Sequence, residues 1–170
     1  GEVVESVIIP EDGRITACVS SQVGCAVDCS FCATGHQGFS RNLSLGEMLG
    51  QVWAINYLSN VGRVTNVVLM GMGEPLLNYR NVLESVERIT GTPGLAMSPK
   101  RITVSTAGIA KAIRRLGDDE VKFNLALSLH AANDEKRNHI MAINETNNLS
   151  VLAESLRHFV EKTGSRPTFE

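Results

Sequence analysis

Cys25, Cys29 and Cys32 stand in the run Gly24-Cys25-Ala26-Val27-Asp28-Cys29-Ser30-Phe31-Cys32, a C-x3-C-x2-C spacing that holds three of the chain's four cysteines. Three soft thiolates on one short loop can surround a single inorganic centre, and such donor sets select iron–sulfur clusters or zinc over hard cations. Two readings of the loop follow. Either the three thiolates hold a 4Fe–4S cluster and leave one iron open to a small chelating ligand, or they join His36 in a Cys3His zinc site. A zinc module usually replaces a hydrophobic core, and this sequence is long enough to bury a core of its own, which favours the cluster.

Further polar groups are spaced along the chain. Gly71-Met72-Gly73-Glu74-Pro75 offers backbone unshielded by side chains together with one carboxylate, suited to an ammonium or to the polar backbone of a ligand. Ser105 and Thr106 present hydroxyls to a ribose or a carboxylate, and Ser128-Leu129-His130 forms another polar strand end. Each alone has an ordinary structural reading: glycine punctuation, turn hydroxyls, a satisfied histidine. Cys18 shares one face of a strand with Thr16 and Ser20, so it reads either as a small hydrophobe or as a thiol turned toward a site. Glu5, on the partner strand, either approaches that face or is a solvated edge charge.

The elements that must position these residues follow from periodicity. Residues 3–9 and 14–20 are β-rich around Pro10-Glu11-Asp12-Gly13, which predicts a hairpin with Asp-Gly at its turn. Ser44-Leu45-Gly46-Glu47 has the capping-box form and opens a helix that runs to about residue 58. Strands at 64–70, 101–106, 122–129 and 166–170 alternate with helices at 78–90, 108–116, 134–140 and 149–163. This rhythm predicts an α/β fold, a parallel sheet with right-handed crossovers closed into a partial (βα) barrel and preceded by the hairpin. The polar clusters each follow the carboxyl end of a strand, the face on which βα barrels build their sites.

Composition sets the outer bounds. The chain has 170 residues, 43% hydrophobic and 20% charged, with net charge −2. Such a balance suits one domain with a real core and provides no global attraction to nucleic acid. No run approaches eighteen apolar residues and no signal-peptide pattern opens the chain, so no membrane partner is expected and the predicted location is cytoplasmic. Clustered cysteines in a reducing compartment favour a metal site over disulfides.

Taken together, the blocks resemble the radical S-adenosylmethionine superfamily, whose cluster loop has the Cys25-x3-Cys29-x2-Cys32 pattern, and within it the RlmN/Cfr branch of rRNA adenine methyltransferases. The resemblance rests on Cys18-Val19-Ser20-Ser21-Gln22-Val23-Gly24-Cys25, Gly38-Phe39-Ser40-Arg41-Asn42-Leu43, Gly71 to Asn78, Ser105-Thr106-Ala107-Gly108 and Ser128-Leu129-His130. It implies a 4Fe–4S cluster on Cys25, Cys29 and Cys32 whose open iron chelates S-adenosyl-L-methionine, and reduction to a 5′-deoxyadenosyl radical. It likewise implies cofactor contacts at Gly73, Glu74, Ser105, Ser128, Leu129 and His130, and Glu5 as proton acceptor. The family passes a methyl group through a cysteine to an adenine ring carbon, and Cys18 occupies the position of the thiol that closes a transient disulfide to release product. The substrates implied are 23S rRNA and tRNA, with an electron donor such as flavodoxin. Glu74-Pro75-Leu76-Leu77-Asn78 looks more like the C2 enzymes than the C8, Cfr-like ones; a radical enzyme with a non-RNA substrate is the remaining alternative beside the zinc module. On this resemblance residues 1–170 are expected to be the first part of a truncated radical SAM core, without the accessory N-terminal domain or the methyl-carrying cysteine, and inactive alone.

Overall fold

The computed structural model describes residues 1–58, 60, 62–92 and 94–170. Strands β1 (Val7–Glu11) and β2 (Arg14–Cys18) form the expected hairpin, with Glu11 opposite Arg14 across Asp12-Gly13. Gly13 has φ +72°, the left-handed value that a two-residue hairpin turn requires and that glycine adopts without a Cβ clash. The first strand begins at Val7, so Glu5 lies ahead of the hairpin, not on its partner strand as the sequence pattern predicts. The cause is a competing set of partners: the Glu5 N–H reaches Met72 Sδ at 3.4 Å and its carbonyl accepts from Ser20 Oγ at 2.7 Å, which takes this backbone out of the ladder.

From β2 onward the main sheet is parallel. Its order is β1-β2-β5-β6-β7-β8: β5 (Asn66–Leu69) lies beside β2, and β6 (Ile102–Thr106), β7 (Asn124–Leu127) and β8 (Thr168–Phe169) each lie beside the strand that precedes them in sequence. Helices α2 (Leu45–Leu58), α3 (Tyr79–Thr90), α4 (Ala110–Asp118) and α6 (Leu149–Thr163) make the crossovers, with the shorter α5 (Asp134–Ile140) ahead of α6. The capping box at α2 forms as read: Ser44 N–H donates to Glu47 Oε2 (2.8 Å) and Glu47 N–H to Ser44 Oγ (3.3 Å). β5 is shorter than the 64–70 run because Val64 N–H is taken by the Asn56 side chain and Thr65 bonds Ile15.

The pleat sorts the strand residues into two populations. Ala17, Val67, Leu69, Val104, Leu125 and Leu127 are buried in one apolar cluster with Val52 of α2, Val82 of α3, Ile113 of α4 and Phe159 of α6. The alternate positions Cys18, Val68, Thr103 and Asn124 follow one another in register across β2, β5, β6 and β7, and all are only partly buried. Helices therefore cover one face, and the other, carrying Cys18 and Ser105, is left open for a site.

Two strands escaped the sequence pattern. β3 (Gln22–Gly24) and β4 (Phe39–Asn42) pair antiparallel in a small separate sheet that brackets the cysteine loop. A 3-10 turn at Pro75–Asn78 also precedes α3, since Pro75 has no N–H to continue the preceding strand. No helix of the described residues is long and apolar enough to cross a membrane.

Candidate cofactor site

The cysteine loop is shaped by its glycines. Gly24 has φ +73°, and a Cβ there would lie 1.8 Å from the Gly38 carbonyl oxygen, the atom that accepts the Cys25 N–H at 3.0 Å. Gly35, in the one-turn helix α1 (Ala33–His36), packs so closely that a Cβ would stand 3.2 Å from Asp28 Cα and 3.3 Å from Cys29 N. Cys32 N–H bonds the Cys29 carbonyl (3.0 Å), and Ser30 N–H bonds the Ile140 carbonyl at the end of α5 (3.0 Å). Backbone contacts thus fix where the three thiols stand before any metal is bound.

Cys25, Cys29 and Cys32 are free and half-buried. Burial pushes the Cys29 thiol up to about 11, and the neighbouring Cys25, Cys32 and Glu74 add in the same direction. Cys25 is raised for the same first reason, with Glu74 and Cys32 again contributing. A metal centre must therefore displace protons as it binds, and three thiols close enough to repel as thiolates are a donor set suited to a cationic iron–sulfur core. A single zinc ion would need its sulfurs converging at about 2.3 Å from one point. Among the described residues no three His, Cys, Asp or Glu side chains are gathered to hold one metal ion, and His36 is exposed on α1. The Cys3His alternative thus finds no support, whereas a cubane spreads its thiolates over separate irons.

The turn after β5 lies directly on the segment that leaves β2. A Cβ on Gly71 would meet Ser20 Oγ at 2.7 Å, and one on Gly73, whose φ is +98°, would meet Gln22 Cβ at 2.5 Å. This close approach lets Ser21 and Gln22 N–H share the Met72 carbonyl (2.8 and 3.2 Å), and lets Gln22 Oε1 accept from Glu74 N–H (2.8 Å). The Glu74 carboxylate is buried, with Oε1 accepting from Leu76 N–H (2.9 Å) and Oε2 from Ala107 N–H (2.6 Å). Burial raises its pKa although these amides and the Thr106 hydroxyl pull the other way. Glu74 accordingly ties the β5 turn to the end of β6, and a carboxylate's lone pairs leave room for one further donor.

The remaining candidates meet at the ends of β6 and β7. Ser105 Oγ and Ser128 Oγ are 3.3 Å apart, and Ser128 N–H bonds the Thr106 carbonyl. His130 is exposed, adopts φ +55°, and sets its ring edge-on to Phe31 of the cysteine loop with centroids 4.7 Å apart. Leu129, partly buried, packs on the core. The contacts form a chain: the cysteine loop to His130 through Phe31, Ser128 to Ser105, and Ala107 to Glu74.

Cys18 lies on the open sheet face, its thiol pushed up by burial against the pull of a Met70 backbone bond. Glu5 is exposed, and only its backbone touches the site loops. The sequence pattern passes over three residues that hold the site together. Gln22 joins the β5 turn to β4 through Asn42 (2.8 Å), and Asn78 donates to the Ser21 and Leu43 carbonyls (2.9 and 2.7 Å). Arg137, in the charged run Asp134 to His139, is fully buried although Glu135, Lys136 and His139 beside it are exposed.

Fold and site together define a parallel α/β protein with a three-thiol cofactor loop at the carboxyl ends of its strands. The radical SAM superfamily model matches residues 19–166, and the chain belongs to that superfamily. Among curated proteins it is 60% identical to a probable dual-specificity RNA methyltransferase RlmN of Cytophaga hutchinsonii, over 100% of this chain and 47% of the relative. It is 52% identical to the protein of the same name from Flavobacterium psychrophilum, over 100% of this chain and 50% of the relative. A crystal structure of a radical SAM methyltransferase from Sphaerobacter thermophilus superposes with TM-score 0.93 at 42% identity, covering 98% of this chain and 49% of that one. The chain thus spans about half the length of the relatives it matches.

Proposed function

We propose that this chain carries the cofactor site of an RNA methyltransferase of the RlmN kind, acting on C2 of an adenine in 23S rRNA and in tRNA through a methyl-cysteine intermediate. The chain of contacts that runs from the cysteine loop through His130, Ser128 and Ser105 to Glu74 carries this reading, supported by the similarity to RlmN proteins. Cys25, Cys29 and Cys32 would hold a 4Fe–4S cluster. Bound there with S-adenosylmethionine, the cluster supplies one-electron cleavage chemistry that no side chain of the protein can provide.

The chain's own residues bind and orient. The Glu74 carboxylate, beside Gly73, would hold the ammonium of the cofactor, and Ser105 with the Ser128-Leu129-His130 segment would hold its sugar and base. Cys18 would close a transient disulfide with the methyl-carrying cysteine, which is not one of this chain's four, as that sulfur's bond to the product carbon breaks, and Glu5 would accept the proton lost from the methylated ring. The electron comes from a flavodoxin-like donor, and the location is the cytoplasm.

Anaerobic reconstitution tests the cofactor site. The wild-type chain should take up iron and acid-labile sulfide in equal amounts and bind S-adenosylmethionine, while Cys25→Ala, Cys29→Ala and Cys32→Ala should each lose the cluster. Zinc in place of iron, without sulfide, would overturn the reading. In the complete protein, Cys18→Ala should leave RNA covalently attached, and normal product release would remove Cys18 from the mechanism.

A further inference from the structure

Arg137 has no role in the family resemblance, yet it is fully buried between the loops that follow β6 and β7. Its guanidinium donates from Nη2 to the Ala107 carbonyl (2.6 Å) and the Ser128 carbonyl (3.2 Å), from Nε to the Leu129 carbonyl (3.1 Å), and from Nη1 to Asn144 Oδ1 (2.6 Å). One side chain therefore spans the loop after β6 and the loop after β7. It projects from α5, whose last carbonyl, Ile140, accepts the Ser30 N–H of the cysteine loop. None of its four acceptors is a carboxylate. Asp134 is reached only through Asn144, whose amide donates to Asp134 Oδ1 at 2.9 Å. A buried cation without a direct counter-ion is costly unless another charge offsets it. The Ile140–Ser30 bond seats the helix that carries it on the cysteine loop, next to Cys29, where the negative charge of a bound thiolate-ligated cluster would supply that offset.

We propose that Arg137 is a positioning residue that holds the Ala107 and Ser128-Leu129 loops against the cysteine loop and whose uncompensated charge favours the reduced state of the cluster. The inference deepens the proposed function and rests on it. Three thiolates make the cluster anionic, each added electron makes it more so, and net charge and surroundings set its potential. The planar guanidinium fork reaches three carbonyls at once, which a lysine ammonium cannot reproduce. Charge and shape are therefore separable.

The test compares wild type, Arg137→Lys and Arg137→Gln, each loaded anaerobically with iron and sulfide, by redox titration and by S-adenosylmethionine affinity. Removing one unit charge near the cluster, at an effective dielectric constant of about 20, should shift a one-electron equilibrium on the order of tenfold, equivalent to about 59 mV. Arg137→Gln should show that shift toward lower potential and at least a tenfold loss of affinity. Arg137→Lys should keep the potential within about threefold of wild type while losing at least fivefold in affinity, a rescue that a merely structural role would not produce. A wild-type value of either quantity in Arg137→Gln overturns the proposal. Should that variant not fold, Arg137→Lys decides alone: weakened affinity at unchanged potential supports the proposal, and unchanged affinity overturns it. A wild-type chain that takes up no iron and sulfide overturns the proposed function and this inference together, whereas normal wild-type loading with unaltered variants overturns only the inference.

Discussion

Replacing Gly24 by alanine should break the mould of the cysteine loop, and the cost can be worked from the geometry. The new Cβ would stand 1.8 Å from the Gly38 oxygen, 2.9 Å from the Gly38 carbonyl carbon and 3.3 Å from Phe39 Cα, all backbone atoms with no rotamer to yield. Restoring ordinary contact requires the two strands β3 and β4 to part by about 1.5 Å, given that real Cβ contacts begin near 3.4 Å. That movement breaks the Cys25 N–H to Gly38 carbonyl bond, at about 0.5–1.5 kcal/mol. Holding alanine at a left-handed φ adds about 1–2 kcal/mol. The total is about 1.5–3.5 kcal/mol, which for a chain of this length lowers Tm by roughly 3–14 °C. Gly50, in the interior of α2 with nothing within 4 Å of its Cβ position, is the matched control. Gly50→Ala should stabilise by about 0.5–1 kcal/mol through helix propensity alone. Thermal or urea unfolding of the metal-free chain measures both, and anaerobic iron analysis reports whether the loop still gathers its thiols. A Gly24→Ala chain within about 0.5 kcal/mol of wild type that binds iron normally would refute the claim that close β3–β4 packing shapes the loop.

Two further expectations rest on separate features. Asn78→Ala removes one donor from each of two buried carbonyls, Ser21 and Leu43, which keep the Leu43 N–H and the Asn81 amide (both 3.1 Å), and should cost about 1–3 kcal/mol in urea unfolding; a loss under about 0.5 kcal/mol would mean that the remaining donors suffice. Glu47 is held well below its usual 4.5, at about 2, first by the Arg41 guanidinium and then by Ser44, so its contribution to stability is present above about pH 4.5 and fades as pH falls toward 2. Because the pair is exposed, salt should shrink this contribution, and Glu47→Gln should remove it; an unchanged acid limb in that variant would assign the effect elsewhere.

Much of the architecture is local and was therefore legible. The Asp12-Gly13 hairpin, the Ser44/Glu47 capping box and helices α5 and α6 depend on residues within a few positions of one another, and the bounds of α6 match the 149–163 pattern. The C-x3-C-x2-C spacing is local too, which is why the cofactor loop stands out in the chain. Short strands are weaker signals: β3 and β4 carry only three and four residues, and their pairing depends on Gly24 meeting Gly38 across the cysteine loop.

The sequence was enough to order the hairpin, the long helices and the strands of the main sheet, and to mark the thiol donors and the polar strand ends. Only the tertiary structure decided which of those groups face one another and which charges are buried. Glu74 became a buried tie because Ala107, 33 residues away, presents its N–H there, and Glu5 left its strand because Ser20 and Met72 claim its backbone. Arg137 carries the same charged signature as its exposed neighbours and is buried because three carbonyls from two other strand ends converge on it. A buried charge is tolerated only where partners surround it, and those partners come from segments far apart in the chain. Their meeting is a property of the folded sheet that no local pattern encodes.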